Sequence, residues 1–278
     1  MNIDGWKYYN FAAFPTAWPH EEANLKPIYD KTIWRLSGNP YLARWTSDWD
    51  NGVESQFYYV IKNDMFDITK IKAKRRYEIN KGERNFEVRI IDPKLYKDDI
   101  YNVYIESLKG YPEYTVPLPK NDVIFTIENG WSQKECRFFA AFERETGMLC
   151  GYSDVYIRDE FIPISSLHTR VDKEKDGVNL ALVFGIVKWF NQLNIENAYL
   201  CDGARSSFHA TNFQNFLIKY FEFRKAYCKL NIVYKWPFGI IISAIFPLRK
   251  QLYKLKNKKF RQISAVLKME AWKRGLTE

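Results

Sequence analysis

This chain of 278 residues has no long apolar run. No stretch approaches the roughly 20 residues a helix needs to cross a bilayer, which excludes a helical membrane-spanning protein. Cysteine is sparse. Cys136, Cys150, Cys201 and Cys228 have no pair closer than 14 positions, so neither a zinc knuckle nor a Cys-x-x-Cys redox pair can be built. The three histidines, His20, His168 and His209, are too scattered to suggest a metal site. A Walker loop and a Ser–His–Asp arrangement are also missing. The opening Met1–Trp6 shows no basic segment leading into an apolar run, so no secretory signal is visible. With three of the cysteines in strand-like apolar runs, reduced thiols and a cytoplasmic location are expected.

What is present is globular in composition, with 46% hydrophobic and 27% charged residues. Aromatics are abundant, at 9 Trp, 19 Tyr and 20 Phe, consistent with large buried side chains or a substrate cleft. The net charge of +9 is uneven: residues 249–278 carry +8 of it, so the main fold is nearly neutral. Nucleic acid, anionic lipid or a phosphorylated substrate would each suit so basic a tail.

Three regions follow from the patterning. Residues 1–84 read as an N-terminal lobe, of which residues 1–60 hold 14 of the aromatics and four of the 11 prolines and look irregular with short strands, the clearest at 55–62. Asp67 is placed to cap a basic helix running to about Gly82, with Lys70, Lys72, Lys74, Arg75, Arg76 and Lys81 on it. Residues 85–235 form the core: a strand at 85–91, a helix at 94–109 and a Pro- and Gly-rich loop over 110–130. Three strands follow (138–143, 148–157, 161–171), joined by turns short enough for an antiparallel meander. A buried helix over 179–193 is apolar almost all round. The strand at 198–201 should lie parallel to 161–171 through a right-handed crossover. A helix at 212–221 and a strand at 226–234 complete the core. Residues 236–278 read as a basic amphipathic tail.

The order strand, helix, three-strand meander, glycine turn, buried helix, strand, helix, strand resembles the GCN5-related N-acetyltransferase (GNAT) fold over residues 85–235. The preceding block, with Lys74-Arg75-Arg76 leading into Asn85-Phe86-Glu87-Val88, looks like the Fem-type aminoacyltransferases and their acetyltransferase-like relatives. The expected fold class is therefore mixed α/β (α+β), a GNAT-like twisted mixed sheet flanked by helices. The resemblance implies an acyltransferase moving an acyl group from acyl-CoA to an amine or hydroxyl of a sugar or cell-envelope precursor. Fem-like aminoacyl transfer from a charged tRNA is the first alternative, and a degenerate binding or scaffold protein the second.

In such acetyltransferases an Arg/Gln-x-x-Gly-x-Gly/Ala turn aims backbone N–H groups at the coenzyme A pyrophosphate, at a helix N-terminus. The corresponding turn is Val171-Asp172-Lys173-Glu174-Lys175-Asp176-Gly177-Val178-Asn179. Glu174 stands in the Arg/Gln place, with Lys173 and Lys175 available to supply the missing charge. The resemblance thus puts acyl-CoA against Lys173, Lys175, Gly177, Val178 and Asn179. Where relatives carry a Tyr that protonates the departing thiolate, this chain has Ile218, which has no proton to give.

Two residues are candidates for chemistry. His168, in the fourth core strand, lies near where acetyltransferases keep a base, and a free imidazole titrates near neutrality; a satisfied structural histidine is the plainer alternative. Asp202 ends the parallel strand, where substrate polar groups arrive, and Arg205 follows as a substrate-binding candidate. Arg75 and Arg76 offer planar forks for phosphate oxygens, or form a solvated helix face. In the tail, the uncharged stretch 236–248 beside a basic amphipathic segment suits the surface of an anionic membrane; burial against the core is the alternative.

Overall fold

Strands and helices interleave along the chain in a computed structural model that describes residues 1–111, 115–207, 212–254 and 258–277. In order these are β1 (Trp6–Tyr9), β2 (Ala12–Pro15), α1 (Lys26–Tyr29), β3 (Leu42–Ser47), β4 (Phe57–Lys62), α2 (Ala73–Asn85), β5 (Phe86–Ile90), α3 (Lys97–Ser107), α4 (Lys120–Trp131), β6 (Cys136–Glu143), β7 (Leu149–Tyr156), β8 (Phe161–Thr169), α5 (Val178–Phe190), β9 (Tyr199–Ala204), α6 (Asn212–Phe221), β10 (Arg224–Tyr234), α7 (Phe238–Ile245), α8 (Arg249–Leu252) and α9 (Lys258–Lys273). The class is mixed α/β, as expected. The internal contacts divide the chain into two units, one of residues 1–60, 204–213 and 225–278, the other of residues 61–203 and 214–224.

In the second unit β5, β6, β7 and β8 pair antiparallel in that order. β9 then joins β8 in parallel, Phe161 opposite Tyr199 and Pro163 opposite Cys201. This is the crossover expected from sequence. α5 makes the connection and buries eight of its residues, among them Leu182, Val183 and Ile186. The apolar-all-round pattern reflects that burial. α3 packs over the opposite face, where Ile100 and Val103 meet Phe138, Ala140 and Tyr152. A register shift between Asp154 and Val155 interrupts the β7–β8 ladder.

In the first unit β1 and β2 form an antiparallel pair, β2 lies parallel to β3, and β3 runs antiparallel to β10 from Leu42–Tyr234 to Ser47–Lys229. Ala12, Leu42, Phe57, Leu230 and Ile232 share a core with Met269 and Trp272 of α9. The C-terminal segment is therefore folded into this unit rather than appended to it. Glu270 is buried there, accepting a hydrogen bond from the Tyr234 hydroxyl at 2.7 Å and pairing with Arg274 at 2.8 Å.

Local expectations needed three corrections. Asp67 does not cap α2. Its carboxylate accepts from the Thr69 amide and hydroxyl in a separate turn, and the helix begins at Ala73 after Lys72, which makes no side-chain cap. Gly82 does not end the helix, because it is where α2 touches the start of α5: a Cβ there would lie 2.7 Å from the Gly177 carbonyl oxygen. The stretch 110–130 is not all loop. Pro119 precedes α4, and its fixed φ suits a helix start rather than only a turn.

Candidate functional site

β8 and β9 share only three paired positions. Beyond Pro163 and Cys201, β8 continues for six residues and β9 for three with no pairing between them. Parallel strands that part in this way open a crevice at their carboxyl ends. Asp202 stands on β9 immediately past the last pair. Burial pushes its carboxyl up to about 7, against a hydrogen bond from Gln214 of α6 that favours the charged form. A carboxyl in that range exists in both protonation states near neutral pH, which general acid–base work requires.

His168 lies on the β8 half of the opening, opposite Tyr152 of β7. Its Nδ1 is 2.9 Å from the Ser107 hydroxyl, and that hydroxyl also bonds the Tyr104 carbonyl at 2.7 Å. A carbonyl only accepts, so the single hydroxyl proton goes to Tyr104 and Nδ1 must donate to Ser107. Nε2 is then the nitrogen with the free lone pair. The imidazole sits between Tyr104 and Tyr152, with ring centroids 5.4 and 5.2 Å away. Burial holds it below its ordinary value, and the Asp154 charge opposes that shift. His168 is thus neutral at pH 7 with its tautomer set by Ser107. Asp154 receives the Ser166 hydroxyl, which adds a second polar pair to the same strands.

The turn leading into α5 is a 3-10 segment, Val171–Asp176, closed by Gly177 at φ 92°. Here the residues do not fit a coenzyme A pyrophosphate. The Gly177 amide bonds the Glu174 carbonyl at 3.0 Å. Lys173 pairs with Glu143 at 2.5 Å, which spends its charge inside the protein. Val178 is fully buried, and the Asn179 side chain accepts from Thr169 at 2.6 Å. α2 covers the turn: Lys81 donates to the Lys175 carbonyl at 2.7 Å and Asn85 to the Asp176 carbonyl at 2.9 Å. A Cβ on Gly177 would come within 3.0 Å of Gly82 Cα.

The structure therefore gathers Lys173, Lys175, Gly177, Val178 and Asn179 in one turn, and puts Asp202 and His168 on the two strands that part. It shows no contact between Asp202 and His168 among the described residues. Arg205 belongs to the first unit. Its guanidinium donates to the Gln56 carbonyl at 2.8 Å and lies 4.5 Å over the Trp272 ring. Arg76 donates to the Thr69 carbonyl at 3.0 Å, and Arg75 is half-exposed on α2. His209 lies outside the described residues. No group of three or more His, Cys, Asp or Glu residues placed to hold a metal occurs among the described residues.

Sequence reasoning missed Ser107, Tyr104, Tyr152 and Asp154. The alternation Tyr152, Asp154, Tyr156 along a strand was the available signal, since period-2 polar residues on a core strand call for partners. Ser107 gave none, because only the packing of α3 on β8 brings it to His168.

No family model matches the chain, and no curated protein matches it either. Solved structures do. L-PGS from Bacillus licheniformis aligns with TM-score 0.55 at 14% identity, over 88% of this chain and 84% of that one. The C-terminal domain of a putative lysylphosphatidylglycerol synthetase from Agrobacterium fabrum aligns with TM-score 0.56 at 12% identity, over 87% and 84%. FemX aligns with TM-score 0.52 at 6% identity, over 77% and 78%. At such identities the likeness is one of fold. The chain has the GNAT-like architecture expected from its order of elements, and it shares its fold with these proteins over most of its length.

Proposed function

We propose that the chain is an acyltransferase of the aminoacyl type, moving an aminoacyl group from an activated ester to an amine or hydroxyl. The observation that carries this reading is the parting of β8 and β9 just before Asp202, with that carboxyl pushed up to about 7. The fold shared with FemX and with lysylphosphatidylglycerol synthetase domains supports aminoacyl chemistry in particular. An ester donor is preferred to acyl-CoA because the turn before α5 is packed against α2 and its Lys173 is paired with Glu143. The donor proposed is a charged tRNA, whose phosphates suit Lys72 just before α2 and Lys74 and Arg75 on it. The acceptor is proposed to be a lipid-borne or envelope precursor.

In this reading Asp202, as carboxylate, takes the proton from the acceptor amine or hydroxyl as it attacks the ester carbonyl. The protonated Asp202 then returns that proton to the departing ribose oxygen. His168 keeps a neutral Nε2 beside the same strands and orients the acceptor by accepting a hydrogen bond. Positioning supplies much of the rate, because the two reactants meet in a fixed crevice.

Transfer of a radiolabelled amino acid from charged tRNA to a lipid extract tests this directly. Asp202→Asn should lower kcat/KM at least 100-fold, with tRNA affinity unchanged. tRNA binding should weaken steeply with salt. Acetyl-CoA should leave the melting temperature unmoved. A rise in melting temperature with acetyl-CoA, together with acetyl transfer, would restore the thioester reading. Loss of neither binding nor transfer in Asp202→Asn would remove the carboxyl from the mechanism.

A further inference from the structure

α7 is apolar on both of its faces, and only one of them is used. Ile242 and Phe246 face inward to Leu267 and Ala271. Pro237, Ile240, Ile241 and Ala244 fall at the i, i+3, i+4, i+7 spacing of a single outward stripe along α7, with Trp236 exposed before it and Leu248 exposed in the 3-10 turn that follows. Trp236 is 80% exposed, Ile240 62% and Leu248 51%. The inner contacts hold the helix in place, and the outer stripe is left half or more exposed. A contiguous exposed apolar patch of this kind marks an interaction surface.

The charge around the stripe identifies its occupant. No Asp or Glu occurs from Phe223 to Met269, a stretch that carries twelve Lys and Arg. Lys235 stands just before the stripe, and Arg249, Lys250 and Lys254 follow it. A protein partner with an apolar groove would not require so one-sided a surround. An anionic lipid surface would: its acyl region takes the aliphatic stripe, its headgroup layer takes Trp236, and its phosphates take the cations at either end. No helix among the described residues is long and apolar enough to cross a membrane. A helix of eight residues with one apolar face outward would lie in the interface instead.

We infer that α7 is an interfacial docking helix that seats the first unit on an anionic bilayer through Trp236, Ile240, Ile241 and Leu248. This inference goes beyond the transferase reading and is tested without it, since the readout is vesicle binding and no group transfer is needed. The full chain is sedimented with vesicles of equal phosphatidylglycerol and phosphatidylcholine, and with vesicles of phosphatidylcholine alone. Binding to the mixed vesicles should exceed binding to the neutral ones at least tenfold and fall at least tenfold in 0.5 M NaCl. Ile240→Asp with Ile241→Asp should reduce it at least tenfold at an unchanged melting temperature. Lys250→Glu with Lys254→Glu should reduce it about threefold or more. If the aspartate pair impairs folding, Ile240→Ser with Ile241→Ser replaces it, with the same direction expected. A wild-type protein that stays in the supernatant overturns the inference, as does an aspartate pair that binds as well as wild type. A dimer in sedimentation velocity that the aspartate pair dissociates, without vesicle binding, would assign the stripe to a second copy of the chain and also overturn it.

Discussion

α5 and α7 are the two most apolar helices of the molecule, and their environments differ. α5 buries eight of its 13 residues between a sheet and α2. α7 buries Ile242 and leaves Ile240 and Ile241 largely in solvent. Apolar composition alone therefore does not decide burial; what decides it is whether the fold supplies a second surface. For α5 that surface is α2, admitted by the glycine pair Gly82 and Gly177. For α7 no second surface exists among the described residues. Where a sequence is apolar all round and the protein covers only one side, the other side is available for a partner.

The widest separation between the two helices should appear on truncation. Leu182→Ala in α5 removes a fully buried side chain and should cost about 3 kcal/mol in urea denaturation. Ile241→Ala in α7, half-exposed, should change stability by less than about 0.5 kcal/mol. Similar losses at the two sites would mean that α7 is covered in solution, and the distinction would fail.

A second effect concerns the start of α5 and the carboxyl beyond it. Asp202 has a folded-state value of about 7 against an ordinary 3.8. The folded state therefore holds a proton more tightly than the unfolded chain, and stability falls as pH rises between those two values. Asp202→Asn abolishes that dependence. It should leave stability unchanged near pH 4 and raise it at pH 8 by on the order of 2 kcal/mol. A variant no more stable than wild type at pH 8 would show that the carboxyl is solvated and lacks the shifted value on which its proposed role depends. Gain of stability with loss of transfer is the signature expected of a strained functional group.

The sequence made this region partly legible. The meander, the buried α5, the parallel β9 and the bounds of α6 all follow from apolar runs and short turns, because period and length carry that information. Asp202 was visible as a polar residue ending an apolar strand. The helix α4 was hidden by prolines and glycine that read as loop residues, although Pro119 precedes a helix and Gly130 meets the Tyr156 hydroxyl. The role of Gly82 was hidden because a glycine inside a helix pattern reads as its end. Only tertiary contact shows that its missing side chain lets α2 reach the α5 turn. The Ser107–His168 pair lay beyond reach for the same reason.

Gly82→Ala tests that contact with a smaller effect. A Cβ 2.7 Å from a backbone carbonyl oxygen and 3.1 Å from the Ala181 amide must push α2 and α5 apart, an overpacking cost of about 1–3 kcal/mol. Helix propensity returns about 1 kcal/mol, so a net loss of about 1 kcal/mol is expected. The matching glycine of α7, Gly239, would set its Cβ 3.2 Å from Tyr234 Cβ, a looser approach. Gly239→Ala should therefore be closer to neutral. If Gly82→Ala stabilises the protein, the two helices are not held as closely as the glycine pair implies.

The smallest effect is expected at His168, and its direction is set by burial. The imidazole lies below its ordinary value of 6.5 in the folded chain, so below that pH the unfolded chain binds the extra proton first. Stability should accordingly decline as pH falls through 6.5, and His168→Gln should flatten that decline without altering stability at pH 8. Glutamine keeps a donor for the Ser107 hydroxyl, so packing of α3 on β8 is retained and the titration alone is removed. The same variant separates structure from chemistry. A histidine that only packs predicts a change in the acid limb of stability and an unchanged pH profile of transfer. One whose Nε2 meets the acceptor predicts a rise in KM for the acceptor, with the Asp202-dependent limb near pH 7 left in place. An acid limb that persists in His168→Gln would assign it to another buried group, and the tautomer argument built on Ser107 would lose its support in solution.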